Sequence, residues 1–233
     1  MIGEAAVVGE EQVRLLVAEV FGDEPATFQG EGPSAGAPAV FIRLSRCNLT
    51  CTWCDTPYTW DWQRFDPHKQ ARWRTVEELA TWALGVPAEL VVITGGEPLL
   101  QQGRLVPLVE RLLAGGKRVE VETNGTIVPH RGLMSAGITF NVSPKLANSA
   151  VPVQRRIVPG PLKAFAASGR ALFKFVAQRS KDLDEVAALA DRYGLSPIYV
   201  MPEGTTPEAL LDTTRALLIL NARCRSRSRR VLQ

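Results

Sequence analysis

Seven apolar runs of strand length recur along the chain, separated by segments with helical spacing, and this alternation admits few folds. The runs cover 14–21, 39–44, 89–94, 118–123, 139–143, 171–176 and 197–201. Between them, Thr75-Val76-Glu77-Glu78 reads as a capping box at the start of a helix. Leu105 to Leu113 repeats apolar residues at helical spacing and ends at Gly115-Gly116. Asp182 to Tyr193 does the same and stops at Gly194, and a last helix spans about Pro207 to Asn221. Such alternation implies a mainly parallel α/β sheet covered by helices. About six parallel strands suit a partial (β/α)6 barrel, and an open doubly wound sheet is the alternative. Either arrangement gathers reactive residues at the C-terminal strand ends. Polar, glycine-bearing clusters do stand there: Arg43 to Cys47, Thr94 to Pro98, Glu122 to Gly125, Asn141 to Lys145 and Met201 to Gly204. The irregular span 146–161 reads as a surface loop.

At 233 residues, 45% of them apolar, the chain is long enough for one domain with a substantial core. We place that domain at 1–222 and a basic, poorly ordered tail at 223–233. Arg223, Arg225, Arg227, Arg229 and Arg230 account for the net charge of +3, and without them the remainder carries −2. The body is therefore no nucleic-acid platform. The first residues, M-I-G-E-A-A-V-V-G-E-E, lack the basic region of a signal peptide, and no apolar run reaches the ~18 residues of a membrane span. A cytoplasmic protein with reduced thiols is expected.

Three of the four cysteines, Cys47, Cys51 and Cys54, fall within eight residues, in C-N-L-T-C-T-W-C. Three uses compete. Inert thiols would not need such crowding. A structural zinc ion needs four ligands, and only His68, His130 and the distant Cys224 remain as nitrogen or sulfur donors. An iron–sulfur cube normally takes four cysteines; with three, one iron stays open to bind something else. One strand later, Gly95 and Gly96 allow close backbone approach. Glu97 can there accept from a ligand ammonium.

C-x3-C-x2-C with Trp53 before the third cysteine resembles the radical S-adenosylmethionine superfamily. The resemblance implies a [4Fe–4S] cluster on Cys47, Cys51 and Cys54 whose open iron chelates S-adenosylmethionine. It further implies reductive cleavage of that cofactor to a 5′-deoxyadenosyl radical, which abstracts a hydrogen atom. Contacts to the cofactor are implied for Trp53 and Asp55, for Gly95, Gly96 and Glu97, and for Glu122 and Asn124. Further contacts are implied for Ser143, Pro144 and Lys145, and for Met201, Pro202, Glu203 and Gly204.

The flanks narrow this further. Phe28-Gln29-Gly30-Glu31-Gly32-Pro33, Arg43, and Cys54-Asp55-Thr56-Pro57-Tyr58-Thr59-Trp60-Asp61 together resemble the 7-carboxy-7-deazaguanine synthase family, over about residues 12–204. The resemblance implies ring contraction of 6-carboxy-5,6,7,8-tetrahydropterin to 7-carboxy-7-deazaguanine with loss of ammonia, in queuosine and deazapurine biosynthesis. Phe28, Gln29, Gly30, Glu31 and Thr94 would read the pterin, and the guanidinium fork of Arg43 suits its carboxylate. Thr56 would offer a hydroxyl to Mg2+, which needs few protein ligands. A flavodoxin-like or other reductant and a homodimeric state are also implied. Two alternatives stand beside this reading. A glycyl-radical-enzyme activase shares the cysteine spacing but has no use for Gln29, Glu31 and Arg43 together. A non-catalytic iron–sulfur module, for electron transfer or nucleic-acid binding, would hold a cluster without cleaving S-adenosylmethionine.

Overall fold

The computed structural model describes residues 12–204 and 206–224, without the side chains of 135, 216 and 218–224. In chain order the strands are β1 (Arg14–Phe21), β2 (Thr27–Phe28), β3 (Pro38–Leu44), β4 (Arg72–Thr75), β5 (Leu90–Gly95), β6 (Arg118–Thr123), β7 (Thr139–Val142), β8 (Ala171–Ala177) and β9 (Ile198–Pro202). The helices are α1 (Pro67–Gln70), α2 (Val76–Gly85), α3 (Gln102–Ala114), α4 (Arg131–Ser135), α5 (Val153–Arg156), α6 (Pro159–Ala167), α7 (Ser180–Tyr193) and α8 (Pro207–Cys224).

All strands join one sheet in the order β4-β1-β3-β5-β6-β7-β8-β9, with β2 added beside β3. From β3 to β9 every neighbour is parallel, giving six parallel strands laid down in sequence order. An order that never reverses excludes the doubly wound alternative, which needs a switch point. The sheet is a partial barrel, left open because β4 and β9 end the strand order.

Alternation within the parallel strands creates two faces. Val40, Ile42, Leu44, Val91, Ile93, Val119, Val121, Phe140, Val142, Phe173 and Phe175 enter one large core with Leu105, Leu108 and Leu112 of α3 and Val186 and Leu189 of α7. The intervening residues face inward. Near the strand starts they form a small apolar plug of Ala39, Phe41, Leu90 and Val92. Toward the C-terminal ends they become Arg43, Thr94, Glu122 and Lys174, which line a cavity. The helix boundaries follow local chemistry. Thr75 Oγ1 accepts from the Glu78 amide while the Glu78 carboxylate accepts from the Thr75 amide, completing the expected capping box of α2. Gly194 adopts φ 68° where α7 stops, and its amide donates to the Ala190 carbonyl.

Three features differ from the sequence expectation. The first apolar run, β1, is antiparallel to β3, and β4 is a further antiparallel strand that pairs with it. The span 146–161 is no solvated loop: it contains α5, and its Ser149, Val151, Arg156 and Ile157 are buried. Val151 packs with Leu49 and Cys51, so this segment backs the cysteine loop. Helix α8 extends past Asn221 to Cys224, and the arginine-rich tail lies outside the described residues from 225 onward.

Candidate active site

The cysteine loop leaves β3 through Arg46, a non-glycine residue with φ 79°. The amide of Arg46 donates to the Thr59 carbonyl, and the amide and hydroxyl of Thr59 donate to the Thr56 carbonyl. The Cys54 amide closes a turn on the Cys51 carbonyl, and the Thr52 amide donates to Ser149. These bonds hold Cys47, Cys51 and Cys54, none in a disulfide, around one cavity of about 320 Å3. Burial pushes the Cys47 thiol up to about 12 and raises Cys51 as well. A ligated cation reverses that preference by binding the thiolates.

The donor set tests which metal group fits. Among the described residues, no group of three or more His, Cys, Asp or Glu side chains can hold a single metal ion. Zinc is therefore poorly served. A cube takes one thiolate per iron, so its ligands stand further apart than those of one ion. Three unpaired thiols on one cavity fit such a cluster with one iron left open. Trp60 adds a donor here, its indole Nε1 lying 3.3 Å from Cys54 Sγ.

Beside this loop, β5 ends in Gly95-Gly96-Glu97-Pro98. A Cβ on Gly95, which has φ 150°, would stand 2.3 Å from the Leu44 carbonyl oxygen, and one on Gly96 would stand 2.2 Å from that of Arg46. The Gly96 and Glu97 amides donate to those two carbonyls. The glycines therefore serve first to seat β5 against the cysteine loop, in addition to lining the cavity. Glu97 does not line it. Its carboxylate is fully buried and accepts from the amides of Leu99 and Asn124 and the hydroxyl of Thr123. Burial pushes its carboxyl up despite those donors. In this arrangement Glu97 fastens the β5 exit to the β6 exit from behind the cavity lining.

Another part of the cavity lining is charged. Lys174 of β8 ion-pairs with Glu31 and lies 3.5 Å from Glu122 Oε1. Glu122 also accepts from Thr94 Oγ1 at 2.8 Å and from Gln29 Nε2 at 3.4 Å. Arg43 donates through Nε to Glu19 at 2.6 Å, lies over the Phe21 ring, and shares Glu19 with the Tyr58 hydroxyl. Burial and that carboxylate together push Tyr58 up to about 12. Lys145 lies over the Trp53 ring and donates to Ser143, while Trp53 donates to Asn148.

The cavity thus gathers Glu31, Arg43, the three cysteines, Trp53, Asp55, Thr56, Thr94, Gly95, Gly96, Glu122, Asn124, Ser143, Lys145 and Glu203. Other expected residues stand apart from its lining. Phe28 is 60% exposed on β2. Gln29 is buried and braces Glu122 and the Glu31 amide. Gly30, Pro144, Met201 and Pro202 are not among the lining residues, and Gly204 packs against the backbone of α8. Sequence reasoning quoted Trp60 in a motif without giving it a role, and passed over Lys174. A lysine between Phe173 and Phe175 in a buried strand was the available signal for an inward charge.

Three thiols at the C-terminal mouth of a partial barrel, with a glycine turn seated against them, define a radical S-adenosylmethionine protein. The sequence pattern of the Radical SAM superfamily matches residues 41–175, which carries a [4Fe–4S] cluster and S-adenosylmethionine as cofactors. The 7-carboxy-7-deazaguanine synthase of Hyperthermus butylicus is 40% identical over 91% of this chain and 85% of its own length. That of Pyrobaculum aerophilum is 37% identical over 84% and 82%. The crystal structure of QueE from Escherichia coli superposes with TM-score 0.67 at 27% identity, covering 93% of this chain and 92% of that one. The chain belongs to the 7-carboxy-7-deazaguanine synthase family. Streptococcus suis SuiB bound to S-adenosylmethionine shares the fold alone, with TM-score 0.53 at 15% identity over 78% of this chain and 46% of that one. No helix among the described residues is long and apolar enough to cross a membrane.

Proposed function

We propose that the protein contracts 6-carboxy-5,6,7,8-tetrahydropterin to 7-carboxy-7-deazaguanine with release of ammonia. The observation that carries this reading is a single cavity holding both the three thiols and a fixed array of charges, Arg43, Glu31, Glu122 and Lys174. When bound, the cluster and S-adenosylmethionine supply the radical that removes a hydrogen atom. The chain's own residues bind and orient. Arg43 is gripped by Glu19 through Nε only, so its terminal nitrogens can take the substrate carboxylate. Glu122, expected from the motif to serve the cofactor, sits with Thr94 and Lys174 and is better placed to accept from the N–H edge of the pterin. Gly95, Gly96, Asn124, Ser143, Lys145 and Glu203 remain for S-adenosylmethionine.

Thr56 is buried, lines the cavity and contacts Cys54 Sγ through its hydroxyl at 3.7 Å, which supports a role as the oxygen ligand of Mg2+. A flavodoxin-like reductant, cytoplasmic location and homodimeric assembly complete the proposal. The activase alternative needs a protein substrate to reach the radical. The Glu31–Lys174 pair ties the 29–36 loop to the sheet beside the cavity, which opposes that access. Anaerobic reconstitution followed by assay of 5′-deoxyadenosine with and without the tetrahydropterin tests the reading. Cofactor cleavage that leaves the pterin unchanged overturns it.

A further inference from the structure

Lys174 sits on β8 between Phe173 and Phe175, whose rings enter the helix-side core, so its side chain faces inward. It is 8% exposed there and serves two carboxylates, Glu31 and Glu122. One ammonium between two carboxylates leaves a net negative charge, which suits a ligand edge rich in N–H donors. Glu31 is 45% exposed and belongs to the loop after β2. The backbone bonds of Gln29 and Gly36 stay within that loop and Ala37, while the side chains of Gln29 and Ser34 donate to Glu122 and Glu120 of β6. The bond from Lys174 joins the loop to a strand 143 positions away in sequence.

We propose that Lys174 is a positioning residue for the pterin: through Glu31 it fastens the loop beside the cavity, and through Glu122 it holds an oriented carboxylate for the ring's donor edge. This rests on the substrate reading above. A 2-amino-4-oxo pyrimidine edge presents adjacent N–H groups, and Glu122 keeps Oε1 and Oε2 fixed by separate donors. When the ring shares Glu122, the ammonium keeps Glu31 as its partner, so no buried charge is left alone. A compact ammonium suits this bridging of two carboxylates at unequal distances.

The charged groups around Glu122 are Lys174 from β8, Glu31 from the loop and Glu120 two residues earlier on the same face of β6, with Arg43, Asp55, Lys145 and Glu203 on the same cavity. Its other close neighbours, Gln29, Thr94 and its register partner Asn141, are neutral. Burial raises the Glu122 carboxyl, but the charge of Lys174 and the bonds donated by Thr94, Gln29 and Lys174 together outweigh it and hold the group below the usual carboxylate range. Burial likewise lowers Lys174, and Glu122 and Glu31 outweigh it. Removing Lys174 leaves only the Thr94 and Gln29 donors to offset burial of Glu122, so it takes up its proton at higher pH.

The test titrates fluorescent 6-carboxypterin into the wild-type, K174M, K174R, E31Q and E31Q/K174M proteins between roughly pH 5 and 9. K174M is expected to bind at least about tenfold more weakly at neutral pH, with the acid limb of its pH profile moved upward. K174R recovers most of the affinity. E31Q weakens binding, and the double variant is less than additive because both changes break one fastening. In turnover, KM for the tetrahydropterin rises while cluster iron and S-adenosylmethionine affinity hold. Unchanged affinity and an unmoved acid limb in K174M overturn the role while leaving the substrate reading intact. So does a K174M defect that tracks lost folding while E31Q binds normally. A wild-type protein that ignores the pterin overturns both.

Discussion

The cysteine side of the cavity comes from one short stretch, Cys47 to Thr56, whereas its charged side joins Glu31, Arg43, Thr94, Glu122 and Lys174 from a loop and four strands. The first is shaped locally, by turn bonds such as Cys54 N–H to the Cys51 carbonyl. The second exists only through register: Arg43 aligns with Thr94 across β3 and β5, and Glu122 aligns with Asn141 across β6 and β7. The two sides also differ in charge logic. Burial disfavours the thiolates of Cys47 and Cys51, while across from them the Lys174 ammonium favours the charged form of Glu122. On the proposed reading, cofactor chemistry is thus encoded by spacing, and substrate recognition by the sheet.

If that division holds, damage to the local side should abolish chemistry and spare recognition. Cys51→Ala is expected to remove the cluster and all 5′-deoxyadenosine formation, the largest effect foreseen here. Its binding of 6-carboxypterin should stay within about threefold of wild type, since a buried small-residue exchange away from the charged side acts independently. Iron analysis and fluorescence titration check both halves. Loss of pterin binding along with the cluster would show that the two sides form one unit.

Gly96→Ala probes the seam between them. The added Cβ would meet the backbone oxygen of Arg46 at 2.2 Å, and neither the strand nor the cysteine loop can yield cheaply. We expect a loss of about 1–3 kcal/mol in stability and a sharp drop in reconstituted iron. Denaturant melts and iron content measure these. A variant that assembles the cluster normally would mean that the cysteine loop does not depend on its seat.

Legibility followed the same division. The spacing of three cysteines and Trp53, with the Gly95-Gly96 turn after the next parallel strand, pointed to the cofactor side, because the thiols and Trp53 share one short stretch and the turn ends a strand that pairs with β3. About six parallel strands were legible from alternation, since each apolar run had to be buried, but their order was not, because a doubly wound sheet shows the same alternation. Strand β4 was not, because Arg72-Trp73-Arg74-Thr75 lies on the open edge and carries no apolar alternation. The span 146–161 looked like loop because its buried residues follow no regular period: Leu146 and Ile157 enter the main core, and Val151 packs on the cysteine loop. The structural duty of Glu97 was hidden for a related reason: a motif places a carboxylate near a ligand in sequence, but only the fold reveals the three protein donors it also accepts from. Lys174 was overlooked because a charge inside an apolar strand has meaning only beside its partners.

Arg43→Ala tests the charged side in the reverse sense. It should weaken pterin binding by about 2–5 kcal/mol, the usual cost of removing one partner of a buried, hydrogen-bonded charge pair. Cluster content and S-adenosylmethionine binding should hold. Glu19→Gln separates the two duties of the residue, because it frees the guanidinium while keeping its charge. If Arg43→Ala binds the pterin as well as wild type, the residue serves only Glu19 and Tyr58.

The smallest expected effect comes from Thr56, which belongs by sequence to the cysteine side and by proposed role to the substrate. Its carbonyl holds the Thr59 turn, and a side-chain exchange leaves that bond alone. Its hydroxyl makes only the 3.7 Å contact with Cys54 Sγ among the described residues, so Thr56→Val sacrifices little hydrogen bonding. Shape is nearly conserved, and the change in stability should stay within about 1 kcal/mol. What the exchange does remove is a hard oxygen donor on the cavity. If Mg2+ bridges that oxygen and the substrate, the variant keeps its iron and its cofactor affinity but loses most of the stimulation by Mg2+. Product formation measured with and without Mg2+ on both proteins decides this. Equal stimulation would assign Thr56 to the cysteine turn alone and leave the two sides of the cavity without a shared residue.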